Sequence, residues 1–247
     1  MKTLEICTGD PEGIQTAFAA GADRIELCSG LAEGGLTPSI AAIRFASRLR
    51  KGSVNVLIRP RAGDFVYTPA EIEVMTDDIR SAMAAGASGI VAGALTPDGK
   101  VDIDACRAFI SAAGNDADST FHRAFDVVSD PFEALETIIG LCFKRILTSG
   151  QAASALEGAE LIARLRKQAA GRIEIMAGAG VCPENAAEII RLTDADALHA
   201  SARSSKRSAM ATAATDASMG SADASDGSRM ATDYDKVNKL HNLIHKL

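Results

Sequence analysis

The sequence predicts a single-domain (β/α)8 barrel, the TIM-barrel fold, over residues 1–247. Short apolar strand patterns alternate with Ala-rich amphipathic helical patterns along the chain. A weak repeat of helix end, tight turn and short strand also recurs about every 50 to 65 residues, roughly twice the length of one βα unit. Finally, 47% of the 247 residues are hydrophobic, which is enough for one large core.

The eight strands are predicted in two interleaved sets. The first set covers residues 3–7, 55–59, 119–122 and 173–176. Each of these is followed by a helical pattern that starts near a proline, which suits the first turn of a helix; these prolines are Pro11, Pro69, Pro131 and Pro183. The second set of strands lies within residues 21–27, 86–92, 141–147 and 194–199.

The end of the chain departs from this alternation of strand and helix patterns. Residues 204–229 are rich in Ser, Ala, Asp and Met, and they predict a long, mobile loop after the eighth strand. Apolar residues at helical spacing then predict the last outer helix; they are Val237, Leu240, Ile244 and Leu247.

Charge and cysteine usage exclude several classes of protein. The net charge is -6 and the pI is about 5.3, and no run of Lys and Arg forms a basic stripe. We therefore expect neither nucleic acid nor an anionic membrane surface as a partner. No apolar stretch approaches the roughly 18 residues of a membrane span, and the first strand begins at once, so we expect a cytoplasmic protein. Five scattered cysteines without a CxxC pair predict reduced thiols rather than disulfides or a zinc ribbon.

A short repeat near the start of the chain places two carboxylates and two thiols together. Residues 4–9 (LEICTG) return almost unchanged as residues 25–30 (IELCSG). Side chains alternate along a strand, so the polar pair Glu5 and Cys7 shares one face, and Glu26 and Cys28 share the same face of the neighbouring strand. The apolar alternates would face the helices. The barrel interior would then be unusually polar, lined by Glu5, Cys7, Glu26, Cys28, Asn55, Arg59, His122 and His199. The alternative is an ordinary sheet whose polar face meets water.

Further polar residues follow the predicted strands, at the end of a barrel where binding sites lie. Guanidinium groups bind carboxylates and phosphates through paired hydrogen bonds, so four arginines predict a small anionic ligand, one that could carry phosphate. The expected ligand-binding residues are Arg59, Arg61, Asp64, Arg123, Asp126, Thr148, Ser149, His199, Ser201 and Arg203. The glycine-rich turn at 176–180 occupies the usual phosphate position of such barrels. Alternatively, the arginines only neutralise Glu5, Glu26, Asp64 and Asp126 in an ion-pair network.

These residues also carry a resemblance that spans nearly the whole chain. The blocks GADRIELCSGLAEGGLTPS (21–39), IRPRAGDFVYTPAEIEVM (58–75), TFHRAFDV (120–127), RILTSGQ (145–151), IMAGAGV (175–181) and LHASAR (198–203) resemble the CutC family of copper-homeostasis proteins. The resemblance implies a TIM barrel, a cytoplasmic location, homo-oligomers such as a dimer or tetramer, and Cu(I) binding for which Cys7 and Cys28 match the family's cysteines. The chain departs from the family in its 204–229 segment and at MAGAG (176–180), where relatives often have a further glycine.

Two functions remain open from the sequence. In the first, Cys7 and Cys28 supply soft thiolate ligands for Cu(I) from neighbouring strands, although the sequence does not show whether the sulfurs converge. Alternatively, both cysteines are small buried hydrophobic residues that bind no metal. In the second, the chain is an enzyme acting on a small anionic substrate, with His122 and either Glu5 or Glu26 as acid and base.

Overall fold

A computed structural model describes residues 2–49, 51–114, 116–209 and 228–246. The first half contains β1 (Thr3–Thr8), α1 (Pro11–Ala19), β2 (Arg24–Leu27), α2 (Ile40–Leu49), β3 (Ser53–Leu57), α3 (Pro69–Ala84), β4 (Gly89–Ala92) and α4 (Ile103–Ala113). The second half contains β5 (Asp118–Phe121), α5 (Pro131–Gly140), β6 (Arg145–Thr148), α6 (Ala159–Ala169), β7 (Glu174–Ala177), α7 (Ala186–Thr193), β8 (Ala197–Ala200), β9 (Arg203–Arg207), β10 (Ser228–Thr232) and α8 (Tyr234–Ile244).

Strands β1 to β8 form a closed parallel barrel in chain order, which confirms the predicted fold. The sheet closes between β1 and β8, where Leu4 pairs with Leu198 and Glu5 with His199. The apolar alternates of the strands, including Leu4, Ile6 and Ile25, are fully buried in the core between the barrel and its helices. The predicted assignment of faces is therefore correct, and the polar alternates are left inside the barrel.

The predicted helix starts are largely confirmed. Helices α1, α3 and α5 begin at their prolines, and the side chains of Asp10, Thr68 and Asp130 cap them by accepting hydrogen bonds from backbone N–H groups. The seventh helix begins at Ala186 rather than near Pro183. Oδ1 of Asn185 accepts a hydrogen bond from the Cys182 amide. This bond stabilises a turn over residues 182–185, so the helix begins after it.

The predicted loop at 204–229 is wrong at both of its ends. Residues 203–207 and 228–232 pair as the antiparallel strands β9 and β10, which pack near α1. Thr232 shares a hydrogen bond with Thr8 at the end of β1, and Glu12 on α1 forms ion pairs with Lys206 and Arg229. Residues 210–227 of the predicted loop lie outside the described residues. Among the helices of the described chain, none has the length and apolar character needed to cross a membrane.

Candidate functional site

The first strand of the barrel places Glu5 at the centre of a polar network. Glu5 is completely buried, and its Oε2 accepts a 2.5 Å hydrogen bond from Nε of Arg24 on β2. Its Oε1 lies 2.8 Å from Nδ1 of His199 on β8. Burial would raise the pKa of Glu5, but the hydrogen bond with His199 and the charge of Arg24 lower it to about 2. Glu5 is therefore an ionised, acceptor-only group that fixes the orientation of the His199 ring.

The second nitrogen of His199 faces the opposite carboxylate. Its Nε2 lies 3.5 Å from Oε2 of Glu26, so the imidazole stands between two buried carboxyl groups. Burial alone would lower the pKa of His199, but the carboxylate of Glu26 and the hydrogen bonds with Cys7 and Glu5 raise it well above its ordinary value. The pKa of Glu26 is also raised, by burial first and by the charge of Glu5. The raised pKa of His199 thus keeps its imidazole protonated between the carboxyl groups of Glu5 and Glu26.

The two predicted cysteines lie side by side in the barrel wall. Sγ of Cys7 and Sγ of Cys28 are 3.4 Å apart, and both residues are buried free thiols. The hydrogen bond with Cys28, burial and the charge of Glu26 raise the pKa of the Cys7 thiol well above its ordinary value. The sequence did not show whether the two sulfurs converge; in the structure they do.

Together these residues form a compact set of metal-binding groups. One ligand atom from each of Cys7, Glu26 and His199 lies within 4.8 Å of the other two. The set offers sulfur, oxygen and nitrogen, and Cys28 adds a second sulfur beside Cys7. Thiolates are the ligands of soft metals such as Cu(I) and of zinc, while imidazole serves zinc and copper alike.

Above this set lies a cavity of about 480 Å³ at the carboxyl ends of the strands. Cys7, Glu26 and His199 line one part of its wall. The remaining wall includes several residues predicted from the sequence, which are Arg59, His122, Arg123, Asp126 and Ser201. The volume far exceeds that of a single ion and falls in the range of small-molecule sites.

His122, a predicted catalytic residue, is held as a neutral hydrogen-bond donor. Its Nδ1 accepts a hydrogen bond from the Ala124 amide, so the hydrogen must be on Nε2, which is buried without a partner among the described residues. Burial and the nearby charge of Arg59 lower the pKa of His122 to about 3. This environment argues against the expected acid-base exchange near neutral pH, because the ring does not gain a proton there.

The four predicted arginines separate into two groups. Arg59 and Arg123 line the cavity, whereas Arg61 and Arg203 do not. Arg61 lies elsewhere because Glu71, the capping residue of α3, and Asp64 form ion pairs with it at 2.6 and 3.0 Å. Arg203 begins β9 and is held outside by the strand pairing with Thr232. The expectation of four arginines at one mouth is therefore corrected to two.

Asp126 organises the loop after β6 rather than standing free. Its carboxylate accepts hydrogen bonds from Oγ1 of Thr148 at 2.5 Å, from the Ser149 amide and from Nε of Arg123 at 2.7 Å. Neither Thr148 nor Ser149 lines the cavity. Thr148, Ser149 and Asp64 were predicted to bind a ligand, but each has a partner within the protein that accounts for its position.

The sequence analysis missed the polar layer beneath the site. Arg24 bridges Glu5 and Glu174, and Arg145 on β6 donates to Glu174 at 2.6 Å and to Asp118 on β5 at 3.2 Å. Nδ2 of Asn55 extends the layer by donating to Asp118. One signal was available, since Arg24 shares the alternating face of Glu26 and Cys28 and is the register partner of Glu5, but its second partner, Glu174 on β7, could not be read from the sequence.

Comparison with known proteins identifies the family of the chain. The family model described as "CutC family" matches residues 2–204. The chain belongs to the CutC family. It is 46% identical over 239 residues to the human "Copper homeostasis protein cutC homolog", covering 96% of this chain and 87% of that protein. It is 42% identical to a family protein CutC of Chromobacterium violaceum, covering 99% of each.

Solved structures agree with this assignment. The putative copper homeostasis protein CutC of Streptococcus agalactiae is 34% identical, with a TM-score of 0.77 over 81% of this chain and 99% of that one. Phosphoribosylanthranilate isomerase of Thermotoga maritima is similar in fold alone, at 15% identity and a TM-score of 0.58 over the whole of both chains. In the 176–180 segment, Ala179 has a φ of 83°, a conformation that favours glycine.

Proposed function

We propose that this CutC protein serves copper homeostasis by binding Cu(I) between the thiolates of Cys7 and Cys28, with His199 as a third ligand. The observation that carries the proposal is the 3.4 Å separation of the two sulfurs beside the His199 ring. At 3.4 Å the two sulfurs are not joined by a disulfide, whose bond is about 2.05 Å long. They are close enough for one ion to contact both after a small movement. Soft thiolates favour Cu(I) over hard cations.

The position of His199 supports its role as the third ligand. Metal-bound histidines usually donate their other ring N–H to a carboxylate, which fixes the tautomer and the ring orientation. Here Nδ1 lies 2.8 Å from ionised Glu5, so a ring in its neutral form presents the lone pair of Nε2 toward Cys7 and Glu26. Arg24 holds Glu5 from the other side at 2.5 Å. The orienting partner is therefore itself held in place.

The remaining expectations stay predictions within this proposal. All five cysteines are free thiols, which suits the reducing cytoplasm expected for the protein. Assembly into a dimer or tetramer is expected from the resemblance alone. The enzymatic alternative has less support, because His122 is held neutral and Glu5 is fully occupied by Arg24 and His199.

A competition titration against a chromogenic Cu(I) chelator under anaerobic conditions tests the proposal. The Cys7→Ser/Cys28→Ser variant should lose its equivalent of bound Cu(I), because hydroxyls are poor ligands for a soft metal. The matched control, Cys106→Ser/Cys142→Ser, also removes two thiols but leaves the site intact, so it should bind like the unmodified protein. Undiminished affinity in the first variant, with its melting temperature unchanged, would contradict the two-thiol site.

A further inference from the structure

We propose that the cavity beside the metal-binding residues is a separate site for a small organic molecule that carries a phosphate at one end and a carboxylate at the other. The phosphate would lie against the loops that follow β7 and β8, and the carboxylate would pair with Arg59 near His122. This site does not rest on the proposed copper function, since the loop amides, Arg59 and His122 are not proposed copper ligands, although Cys7 and His199 line another part of the same cavity.

The loops after β7 and β8 supply unused donors for the phosphate. The backbone N–H groups of Ala179, Gly180, Val181 and Ser201 have no acceptor within the described part of the chain, and all four residues line the cavity. The Ser201 hydroxyl likewise forms no hydrogen bond with any described residue. Clustered backbone N–H groups bind anions, and this is the position where (β/α)8 barrels hold phosphates.

His122 is an independent sign that a ligand completes the site. The residue is 4% exposed and lines the cavity, and its Nε2 has no partner among the described residues. Because Nδ1 accepts the Ala124 N–H, Nε2 is a donor that needs an acceptor. Buried polar groups are nearly always hydrogen-bonded, so an oxygen atom of a bound molecule accounts for this one.

Arg59 lacks the counterion that the other buried arginines possess. Its guanidinium donates only to carbonyl oxygens, those of Glu33, Gly35 and Gly63, and no described carboxylate lies within ion-pair distance. The side chain is nevertheless buried, with 8% of the residue exposed. Arg24 and Arg145, by contrast, each have two carboxylate partners. A buried charge is costly without a partner, so an anionic ligand completes Arg59.

The size and layout of the cavity require a molecule with two polar ends. Arg59 follows β3, whereas the free amides follow β7 and β8, on the opposite side of the eight-stranded barrel. One phosphate cannot reach both walls of a cavity of about 480 Å³. Phe65 packs against both Arg59 and His122 and keeps that wall apolar around its two donors. The ligand therefore spans the cavity.

Calorimetry in metal-free buffer containing EDTA tests the site, with 3-phosphoglycerate as the probe. It should bind saturably, and glycerate and glycerol 3-phosphate, which each lack one anionic end, should bind at least about tenfold more weakly. Inorganic phosphate should be weaker still. Absence of saturable binding by 3-phosphoglycerate, or equal binding of all four probes, would overturn the proposal. Copper binding would be untouched by either result.

Two variants locate the binding. Ser201→Asp should abolish 3-phosphoglycerate binding by placing a negative charge at the phosphate. Ser201→Asn, whose side chain has the shape of aspartate without the charge, should retain binding. Arg59→Met should weaken 3-phosphoglycerate at least about tenfold while leaving glycerol 3-phosphate unchanged, because only the carboxylate contact is lost. Equal affinities in the two Ser201 variants would overturn the proposal, and this comparison decides the matter even if Arg59→Met fails to fold.

Discussion

The imidazole of His199 lies between Glu5 and Glu26, and its proton is an integral part of the unliganded site. The raised pKa values of His199 and of the Cys7 thiol mean that both groups are protonated at neutral pH. Both must lose their protons before they can bind a metal. Under the proposed function, copper binding would therefore release protons from this site.

This exchange predicts a strong pH dependence of Cu(I) affinity. Each released proton changes the dissociation constant about tenfold per pH unit, so loss of one proton from His199 and one from Cys7 gives at least about 100-fold tighter binding per unit of rising pH, and loss of the thiol proton of Cys28 adds to this. The dependence holds at pH values below both raised pKa values. Competition titrations at several pH values measure the slope.

The variant His199→Gln provides the control for this slope. Glutamine has no proton to release in this range, so the slope should fall by about one unit of log Kd per pH unit. A dissociation constant that does not change with pH in the unmodified protein would show that the thiol and imidazole are not the ligands.

The strands carry a second polar layer below the metal-binding residues, and it replaces the branched aliphatic side chains that usually fill a barrel. Arg145 is 4% exposed and joins three strands through Glu174, Asp118 and Thr120. Its ion pairs join β6 to the neighbouring strands β5 and β7. Removal of Arg145 takes the guanidinium partner from the partly buried carboxylates of Glu174 and Asp118, to which Arg24 and Asn55 still donate.

Arg145→Met should therefore destabilise the protein by about 1.5–3 kcal/mol, as measured by urea unfolding. The matched control is Arg107→Met, because the side chain of Arg107 is 67% exposed and, among the described residues, pairs only with exposed Asp104. An exposed pair contributes about 0–1 kcal/mol, so the control should change little. A cost below about 1 kcal/mol for Arg145→Met would mean that the layer is not needed for stability.

Alternation along β1 and β2 was sufficient to predict that Glu5, Cys7, Glu26 and Cys28 share the barrel interior, because one face of each strand is strongly apolar. Arg24 and Arg145 were not predicted, since their shared partner Glu174 links β2 to β6 and β7, a contact that no spacing in the sequence reveals. Arg61 was misplaced for a similar reason. Its position depends on Glu71, which also caps α3 through the Thr68 amide, and no spacing rule reveals that contact.

Over the whole chain, the closed barrel could be predicted because its βα units repeat with a regular period and regular apolar faces. The pairing of β9 with β10 could not, because these strands carry no apolar alternation and depend on contacts such as those of Glu12 and Thr8. The barrel brings the metal-binding set of β1, β2 and β8 to the same mouth as a wider cavity, whose wall also includes residues that follow β3, β5 and β7.

X-ray absorption at the copper K edge, on anaerobic protein loaded with one equivalent of Cu(I), tests the central claim most directly. The spectrum should show two sulfur ligands and the outer-shell scattering of one imidazole, and His199→Gln should remove only the imidazole contribution. A first shell of oxygen and nitrogen alone, or a sulfur shell that persists in Cys7→Ser/Cys28→Ser, would contradict copper binding by these two thiolates.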